Sequence, residues 1–428
     1  MTTDSAANEL AHTLQPRKLT GVGKSMLRAI VVAASAMSIG APAARSAELW
    51  ISNAQLIDGT GSAAVPTVNL HIVAGRIAEI TPAAARAGAL DLHGAFLLPG
   101  LIDAHTHIED PASARRALLS GVTTARVLGD AYLKAMATRD LVRRGDVQGP
   151  EMLAAGGIVR PRLGEPFILG FPQFGRYLDN PLQGADNVAE VVRAVIARGA
   201  DVIKVGASER AGMASTDPRR QELSYEEIRA AVQEATKAGL FVAAHAHDRI
   251  GANAAVRAGV RSIEHGTYLD DETLNLMHQQ GTFFVPTLAI MSPLGDPHGT
   301  SADSIALQVR TLHMMRPLRD AVRKARALGI TVAVGTDGSY GDGDDSARVR
   351  PADEIAELIG CGYTPLEAIS AATRNSARVL GIEARTGTVA VGLEADLLVV
   401  ARDPRVDATT LYEPMLVVSN GAVVLNRL

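Results

Sequence analysis

The sequence predicts an α/β protein in which a (β/α)8 barrel is combined with a small β-sandwich domain. Segments of strand and helix character alternate eight times across residues 98–384, and short β-rich runs occupy 48–97 and 385–428. Such alternation favours a parallel sheet, and eight units suit a closed barrel better than an open sheet. Each flanking segment is too short to form a domain alone. We therefore expect both to build one sandwich, because chain ends often lie close together.

The central region is expected to form eight strands, each followed by a helix. The predicted strands are 100–106, 122–128, 151–158, 201–207, 240–247, 261–265, 282–288 and 331–337. The predicted helices are 112–120, 131–144, 187–199, 225–238, 250–258, 270–280, 305–328 and 352–360. Capping boxes at Ser224–Glu227 and Thr364–Glu367 mark helix starts, and we assign them no catalytic role.

The first 47 residues are expected to be an export signal. A basic segment ending at Arg28 precedes an apolar run over 29–39, and a stretch of small residues over 40–47 follows. The apolar run is too short to span a bilayer as a stable helix, and no later stretch reaches membrane length. We expect a periplasmic or secreted protein with no membrane span in the mature chain. A membrane tether or a disordered arm is the alternative.

Composition excludes two kinds of site. The formal net charge is −4, which argues against a basic surface for nucleic acid, so we expect no nucleic-acid partner. The single cysteine, Cys361, leaves no intrachain disulfide and no cysteine-based zinc cluster. A metal bound here must be held by histidine, carboxylate or a modified side chain.

Five of the 11 histidines fall at the C-terminal ends of predicted strands, where a barrel of this type carries its active site. His105 and His107 are two residues apart on a strand, so they share a face and can reach one ion. His245 and His247 repeat this spacing, and His265 ends the next strand. The alternative is that these are ordinary polar residues at strand ends.

Two more groups complete the cluster. Asp337 closes the eighth predicted strand, where a carboxylate can bind metal or accept a proton. Lys204 lies inside an apolar strand, where an unpaired ammonium is costly and burial lowers the pKa of the amine. Reaction of that amine with CO2 would produce a carbamate, an anion able to bridge two metals. A lysine paired with a carboxylate is the alternative.

These residues resemble a known family. The chain resembles the amidohydrolase superfamily, in its binuclear form with a carbamylated lysine, at His105, His107, Lys204, His245, His265 and Asp337. Within it, the chain is similar to the metal-dependent Xaa-Pro and Xaa-Arg dipeptidases, a group that includes ochratoxin-degrading amidohydrolases. The similar stretches are 155–158, 203–205, 243–247, 263–266 and 335–338.

The resemblance implies a division of roles. The first divalent ion would be held by His105, His107 and Asp337, the second by His245 and His265, and a carbamate on Lys204 would bridge both together with a hydroxide. Zinc is the expected metal, with manganese, cobalt and iron as alternatives. Asp337 would take a proton and return it to the leaving amine. His247 would contact the substrate carbonyl or replace His245 as a ligand. Many relatives are homo-oligomers, and we expect the same here.

The implied activity is hydrolysis of an amide bond next to a C-terminal amino acid. The substrate would be a dipeptide, an N-acyl amino acid or an amide of the ochratoxin A type. Two alternatives lie in the same superfamily, namely a cyclic-amide or imidazolone hydrolase and an organophosphate or lactone hydrolase. A non-catalytic scaffold is a third alternative, and the complete ligand set argues against it.

One segment departs from the related dipeptidases, which carry a Gly-Gly-His-Gly-like loop after the third strand. Here residues 159–166 contain no histidine, and the aromatic segment 167–177 follows. Because loops at this face set specificity, we expect an apolar pocket and a small-molecule substrate with a free carboxylate. The candidate substrate contacts are Arg160, Arg162, Arg210 and Tyr340. A packed lid whose arginines face solvent is the alternative.

Overall fold

The structure is a computed structural model that describes residues 48–82, 87–129, 133–291, 304–342 and 348–428. The predicted export signal lies outside these ranges. Over the described ranges, no helix combines the length and the apolar character needed to cross a bilayer.

Strands and helices alternate through the central region, with the third and eighth predicted strands less regular than expected. The strands are β1 (Glu48–Leu56), β2 (Val65–Val73), β3 (Arg76–Thr81), β4 (Leu90–Asp91), β5 (Phe96–Pro99), β6 (Leu101–Thr106), β7 (Val122–Val127), β8 (Glu151–Ala154), β9 (Ile158–Val159), β10 (Ile203–Gly206), β11 (Val242–Ala246), β12 (Ser262–His265), β13 (Phe283–Val285), β14 (Leu397–Val400), β15 (Leu416–Ser419) and β16 (Ala422–Asn426). The α-helices are α1 (Pro111–Leu119), α2 (Lys134–Arg144), α3 (Glu165–Gly170), α4 (Ala185–Ala197), α5 (Tyr225–Lys237), α6 (Arg249–Ala258), α7 (Asp271–Gln280), α8 (Ser304–Ala327), α9 (Pro351–Gly360), α10 (Pro365–Ser370) and α11 (Ser376–Leu380).

Both chain ends contribute to one eight-stranded sheet. Its order is β16-β15-β14-β5-β1-β2-β3, with β4 paired to β1. The two ends meet where β14 runs antiparallel to β5, with Leu398 opposite Leu98. One face of the sheet buries its own hydrophobic cluster, which includes Ile51, Leu70 and Leu416. The boundaries of a sandwich domain at residues 97 and 385 remain a prediction.

The central strands form two parallel sheets. One has the order β6-β7-β8 and the other has the order β13-β12-β11-β10-β9. The third predicted strand is divided between them, because Gly156 adopts a φ of +76° between β8 and β9. This break lets one stretch of chain pair with both sheets.

The eighth predicted strand, 331–337, forms isolated bridges instead of a continuous ladder. Val332 bridges to Phe284 of β13, and Gly338 bridges to Thr106 of β6. Between these bridges the Ala104 nitrogen donates to the Val334 oxygen at 2.9 Å. The segment therefore runs between the two parallel sheets. It is not a regular strand at its end because Asp337 has a φ of +54°, outside the extended region.

Helix starts in the central region have the expected chemistry. The predicted capping boxes are present at the start of α5, where Ser224 pairs with Glu227, and at the start of α10, where Thr364 pairs with Glu367. In each, the hydroxyl and the carboxylate satisfy backbone N–H groups that have no partner within the helix. These residues hold helix ends, as expected.

Candidate metal centre

Two clusters of metal-binding side chains face each other at the strand ends. One contains His105, His107 and Asp337, and the other contains His245, His247 and His265, with the donor atoms of each cluster within 4.8 Å of one another. The rings of His105 and His265 have centroids 5.1 Å apart, so the clusters are adjacent. The structure thus brings together the five histidines and the aspartate that the sequence singled out.

The first cluster is arranged around one carboxylate oxygen. Asp337 Oδ1 lies 2.8 Å from His107 Nε2 and 3.3 Å from His105 Nε2. The opposite ring nitrogens are occupied: His105 Nδ1 lies 2.9 Å from Glu264 Oε2, and His107 Nδ1 lies 2.7 Å from the Gly129 carbonyl. Such outer partners fix ring orientation, so both Nε2 atoms face the space beside Asp337.

The second cluster keeps its imidazoles neutral. Burial, followed by the nearby positive charges, lowers the pKa of His245 and His265 well below the usual value and that of His247 to about 3. Threonine hydroxyls contact the Nδ1 atoms of two rings: His247 Nδ1 lies 2.9 Å from Thr267 Oγ1, and His265 Nδ1 lies 2.8 Å from Thr287 Oγ1. A neutral imidazole with one free nitrogen is the metal-binding form.

Lys204 is buried near both clusters, and its amine has no hydrogen-bond partner in the part of the chain that the structure describes. Its side chain is 1% exposed, and its Nζ makes no hydrogen bond to any described residue. Burial lowers the pKa of the amine to about 8, with Arg126 and Arg160 adding to the effect against Glu264 and Asp337. The carboxylate pairing considered as an alternative is not formed with any residue in the described ranges. A buried amine of this kind is unusual unless it is modified or bound.

A buried ion pair supports the first cluster, and sequence reasoning missed it. Glu264 Oε1 accepts a hydrogen bond from Arg126 Nη2 at 2.9 Å, while its other oxygen faces His105. Both side chains are nearly inaccessible, at 0% and 2% exposure. The charges of Arg126 and His105 lower the pKa of Glu264 even though burial opposes this. The available signal was opposite charges inside the apolar strands β7 and β12.

A second network, also missed, fastens the segment that carries Asp337. Asp103 of β6 is fully buried and accepts hydrogen bonds from Thr336 Oγ1 at 2.6 Å and from the Tyr340 hydroxyl at 2.9 Å. Burial raises the pKa of Asp103 to about 6 despite these bonds. Tyr340 is 0% exposed. The prediction that Tyr340 contacts the substrate is therefore wrong, because the buried Tyr340 hydroxyl donates its hydrogen bond to Asp103.

The predicted substrate arginines lie in three different settings. Arg160 is 8% exposed, and its Nη2 donates to both oxygens of Glu222 at 2.7 and 2.8 Å. Its donors are therefore engaged within the protein. Arg162 is exposed on the loop after β9. Arg210 is exposed on the loop after β10 and follows Glu209, whose carbonyl lies 3.3 Å from His245 Nε2.

The aromatic segment packs inward and does not line a pocket. Phe167, Phe171, Phe174 and Tyr177 are all buried, and successive ring centroids lie 4.7, 6.5 and 6.3 Å apart. These rings belong to the main hydrophobic core. The aromatic composition of 167–177 therefore reflects packing of this segment into the core, and these rings do not form the apolar pocket that the sequence led us to expect.

The donor set fits divalent cations. Histidine nitrogens and carboxylate oxygens are the ligands that zinc and its neighbours prefer, and each cluster offers three of them. The charge of the Lys204 amine acts on members of both clusters, because it lowers the pKa of His105, His245 and Asp337. His265 and Asp337 have φ values of +70° and +54°, and such left-handed backbone at non-glycine residues is found at functional sites.

Comparison with known proteins identifies the chain. The sequence model of the amidohydrolase family matches residues 96–425. The chain belongs to the amidohydrolase family. This amidohydrolase is 31% identical over 361 residues to ochratoxinase from Aspergillus niger, covering 75% of this chain and 73% of that one.

Solved structures of similar fold agree. A Xaa-Pro dipeptidase with bound methionine in its active site has a TM-score of 0.79 at 26% identity, covering 89% of this chain and 100% of that one. A prolidase complexed with N-methylphosphonate-L-proline has a TM-score of 0.74 at 25% identity, with the same coverage. The expected family and subgroup are confirmed. As a member of this family, the chain is a hydrolytic enzyme of the class that acts on amide bonds.

Proposed function

We propose that this amidohydrolase removes a C-terminal amino acid from a small amide, using two divalent metal ions in a (β/α)8 barrel. The substrate is a dipeptide, an N-acyl amino acid or an amide of the ochratoxin A type. The observation that carries the proposal is the buried, unpartnered Lys204 amine beside two three-residue clusters of metal ligands. The similarity to an ochratoxinase and to a Xaa-Pro dipeptidase supports the substrate class.

The barrel is inferred from the connections between the two parallel sheets. Segment 331–338 bridges β13 to β6 on one side, and on the other the Asp201 nitrogen donates to the Ala154 oxygen at 2.9 Å. Together these contacts support closure of the strands into a ring. Parallel strands in a ring deliver their C-terminal ends to one opening, which accounts for ligands arriving from β6, β10, β11 and β12.

The residues of the site are proposed to act in two groups, metal ligands and residues that act on the substrate. The first ion would be held by His105, His107 and Asp337, the second by His245 and His265, and Lys204 as a carbamate would contact both. Divalent ions bound there would polarise the scissile carbonyl and supply a nucleophile from water at neutral pH.

Asp337 is placed to move the proton. Burial favours its neutral form, but His105 and His107 outweigh burial and keep the pKa of Asp337 below its usual value. It therefore begins the reaction as a carboxylate, takes the proton of the attacking water and returns it to the leaving amine. His247 would contact the substrate carbonyl or replace His245 as a ligand of the second ion. Thr267 holds its Nδ1, and its ring belongs to the second cluster.

The test is amino-acid release, measured by mass spectrometry. The panel contains Xaa-Pro, Xaa-Arg and Xaa-Phe dipeptides, N-acyl amino acids and ochratoxin A, each with and without chelator and with metal restored. We expect chelator-sensitive release of one C-terminal residue, and two zinc ions per chain by elemental analysis. Release that persists at full rate without metal would contradict the mechanism. No release from any member would move the substrate to a cyclic amide, a lactone or a phosphoester.

The Asp337→Asn variant separates chemistry from folding. Asparagine accepts the left-handed backbone at this position better than most residues, so the fold is expected to persist. The loss of the proton carrier should lower kcat by about 100-fold or more. Normal activity in this variant would exclude Asp337 as the base.

A further inference from the structure

The loop between β10 and α5 is built against the second histidine cluster. Ser208 Oγ accepts a hydrogen bond from the His247 backbone nitrogen at 2.7 Å. The next residue, Glu209, places its carbonyl 3.3 Å from His245 Nε2. Arg210 follows directly, so its backbone is one residue away from a contact with a candidate metal ligand.

Another arginine braces this loop with several hydrogen bonds. Arg310 of α8 reaches across and donates to the carbonyls of Ala211, Met213 and Thr216, at 2.7, 2.5 and 2.5 Å. Thr216 in turn donates through Oγ1 to the Arg210 carbonyl at 2.6 Å. The backbone that presents Arg210 is thus fixed on both sides of the residue.

The Arg210 guanidinium has no such engagement. It is exposed, and within the described ranges it forms neither a hydrogen bond nor an ion pair. The neighbouring cations are occupied, Arg160 by Glu222 and Arg310 by loop carbonyls. Partial burial and the charge of Arg160 lower the pKa of Arg210, against the opposite effect of Glu222 and Asp337. Asp337 of the first cluster is thus among the charged groups that act on Arg210.

We propose that Arg210 binds the free carboxylate of the substrate and makes the enzyme select acids over carboxamides. This inference rests on the proposed function. A planar guanidinium with free N–H groups can bind a carboxylate through two parallel hydrogen bonds. Arg160 is not available for this, because its guanidinium already donates to both oxygens of Glu222. The bond to substrate would position the adjacent amide over the histidines that flank the loop.

The test compares Arg210→Ala and Arg210→Lys with Arg229→Ala, which removes the same charge from an exposed position on α5. Each protein is assayed on the most rapidly cleaved dipeptide of the panel and on its C-terminal carboxamide. We expect Arg210→Ala to raise KM for the acid about 10- to 100-fold, with kcat changed far less. The carboxamide should be cleaved as by wild type. Arg210→Lys should lie between, because an ammonium cannot form the bidentate pair.

Binding gives a second measurement that does not depend on turnover. N-acetyl-L-phenylalanine and its amide are titrated calorimetrically against the zinc-loaded and the chelator-treated protein. We expect Arg210→Ala to weaken binding of the acid about 10-fold or more and leave the amide unchanged. Retained preference for the acid in Arg210→Ala, or equal losses for acid and amide, would overturn the inference. A wild type that binds the acid selectively but releases no amino acid would instead overturn the proposed function.

Discussion

Replacing Lys204 by methionine is expected to stabilise the metal-free protein. The native amine is 1% exposed and has no hydrogen-bond partner among the described residues, so its charged form is poorly solvated. Its pKa falls from 10.5 to about 8 on folding, which corresponds to roughly 3 kcal/mol of lost stability at neutral pH. Methionine has a similar length and no charge to bury, so most of that cost should disappear.

The pH dependence of this effect has a definite sign. The cost is fully present below pH 8, where the lysine is charged in both states, and it vanishes as the pH rises from about 8 to 10.5. The advantage of Lys204→Met should therefore be largest at pH 7 and small near pH 10.5. The assay is urea unfolding of chelator-treated protein across this range. Lys237→Met is the control, because Lys237 is exposed and pairs with Glu234 at the surface.

Bound metal is expected to reverse the order of stability between the wild type and Lys204→Met. Zinc should raise the stability of the wild type and have a much smaller effect on Lys204→Met, since binding to the folded state alone stabilises it. A Lys204→Met protein that is less stable than wild type at pH 7 in chelator would refute the argument from an unsolvated amine. An advantage that does not change with pH would refute the role of charge.

Three further predictions concern buried polar groups. Glu264→Gln or Arg126→Met should each cost about 3–5 kcal/mol in urea unfolding by leaving one partner unpaired, and the double variant should cost less than the sum. Tyr340→Phe should cost about 1 kcal/mol without changing KM, and a raised KM would return Tyr340 to the substrate site. Burial raises the pKa of Glu354 in α9 to about 8. The stability of the wild type should therefore fall as the pH rises from 4.5 through 8, and thermal melts of Glu354→Gln should show a smaller fall over the same range.

The regular elements and the metal ligands were predictable because each has a local signature. The capping box at Ser224 and the two-residue spacing of His105 and His107 specify a helix start and a shared strand face within a few residues. Such patterns depend on backbone geometry alone. They do not require knowledge of which segments meet in the folded chain.

What sequence missed depends on contacts between distant segments. Arg126 and Glu264 are 138 residues apart in the sequence. Nothing in the sequence around either residue indicates that the charge of the other lies beside it in the fold. Tyr340 was expected at the substrate because it follows the eighth strand, but its partner Asp103 lies 237 residues earlier. The end of the eighth strand was mispredicted for a local reason. Asp337 adopts a left-handed backbone, and strand propensity gives no signal for that conformation.

The sheet shared by both chain ends has a consequence for the order of folding. During synthesis β5 leaves the ribosome well before its antiparallel neighbour β14. At ~5–20 residues per second, the ~300 residues between them take about 15–60 seconds to synthesise. For that interval one side of β5 has no partner, and the hydrophobic cluster it shares with β14 is half built. Closure of this sheet is thus a late step, and a C-terminal truncation that removes β14 to β16 would leave the nascent chain with an open, aggregation-prone edge.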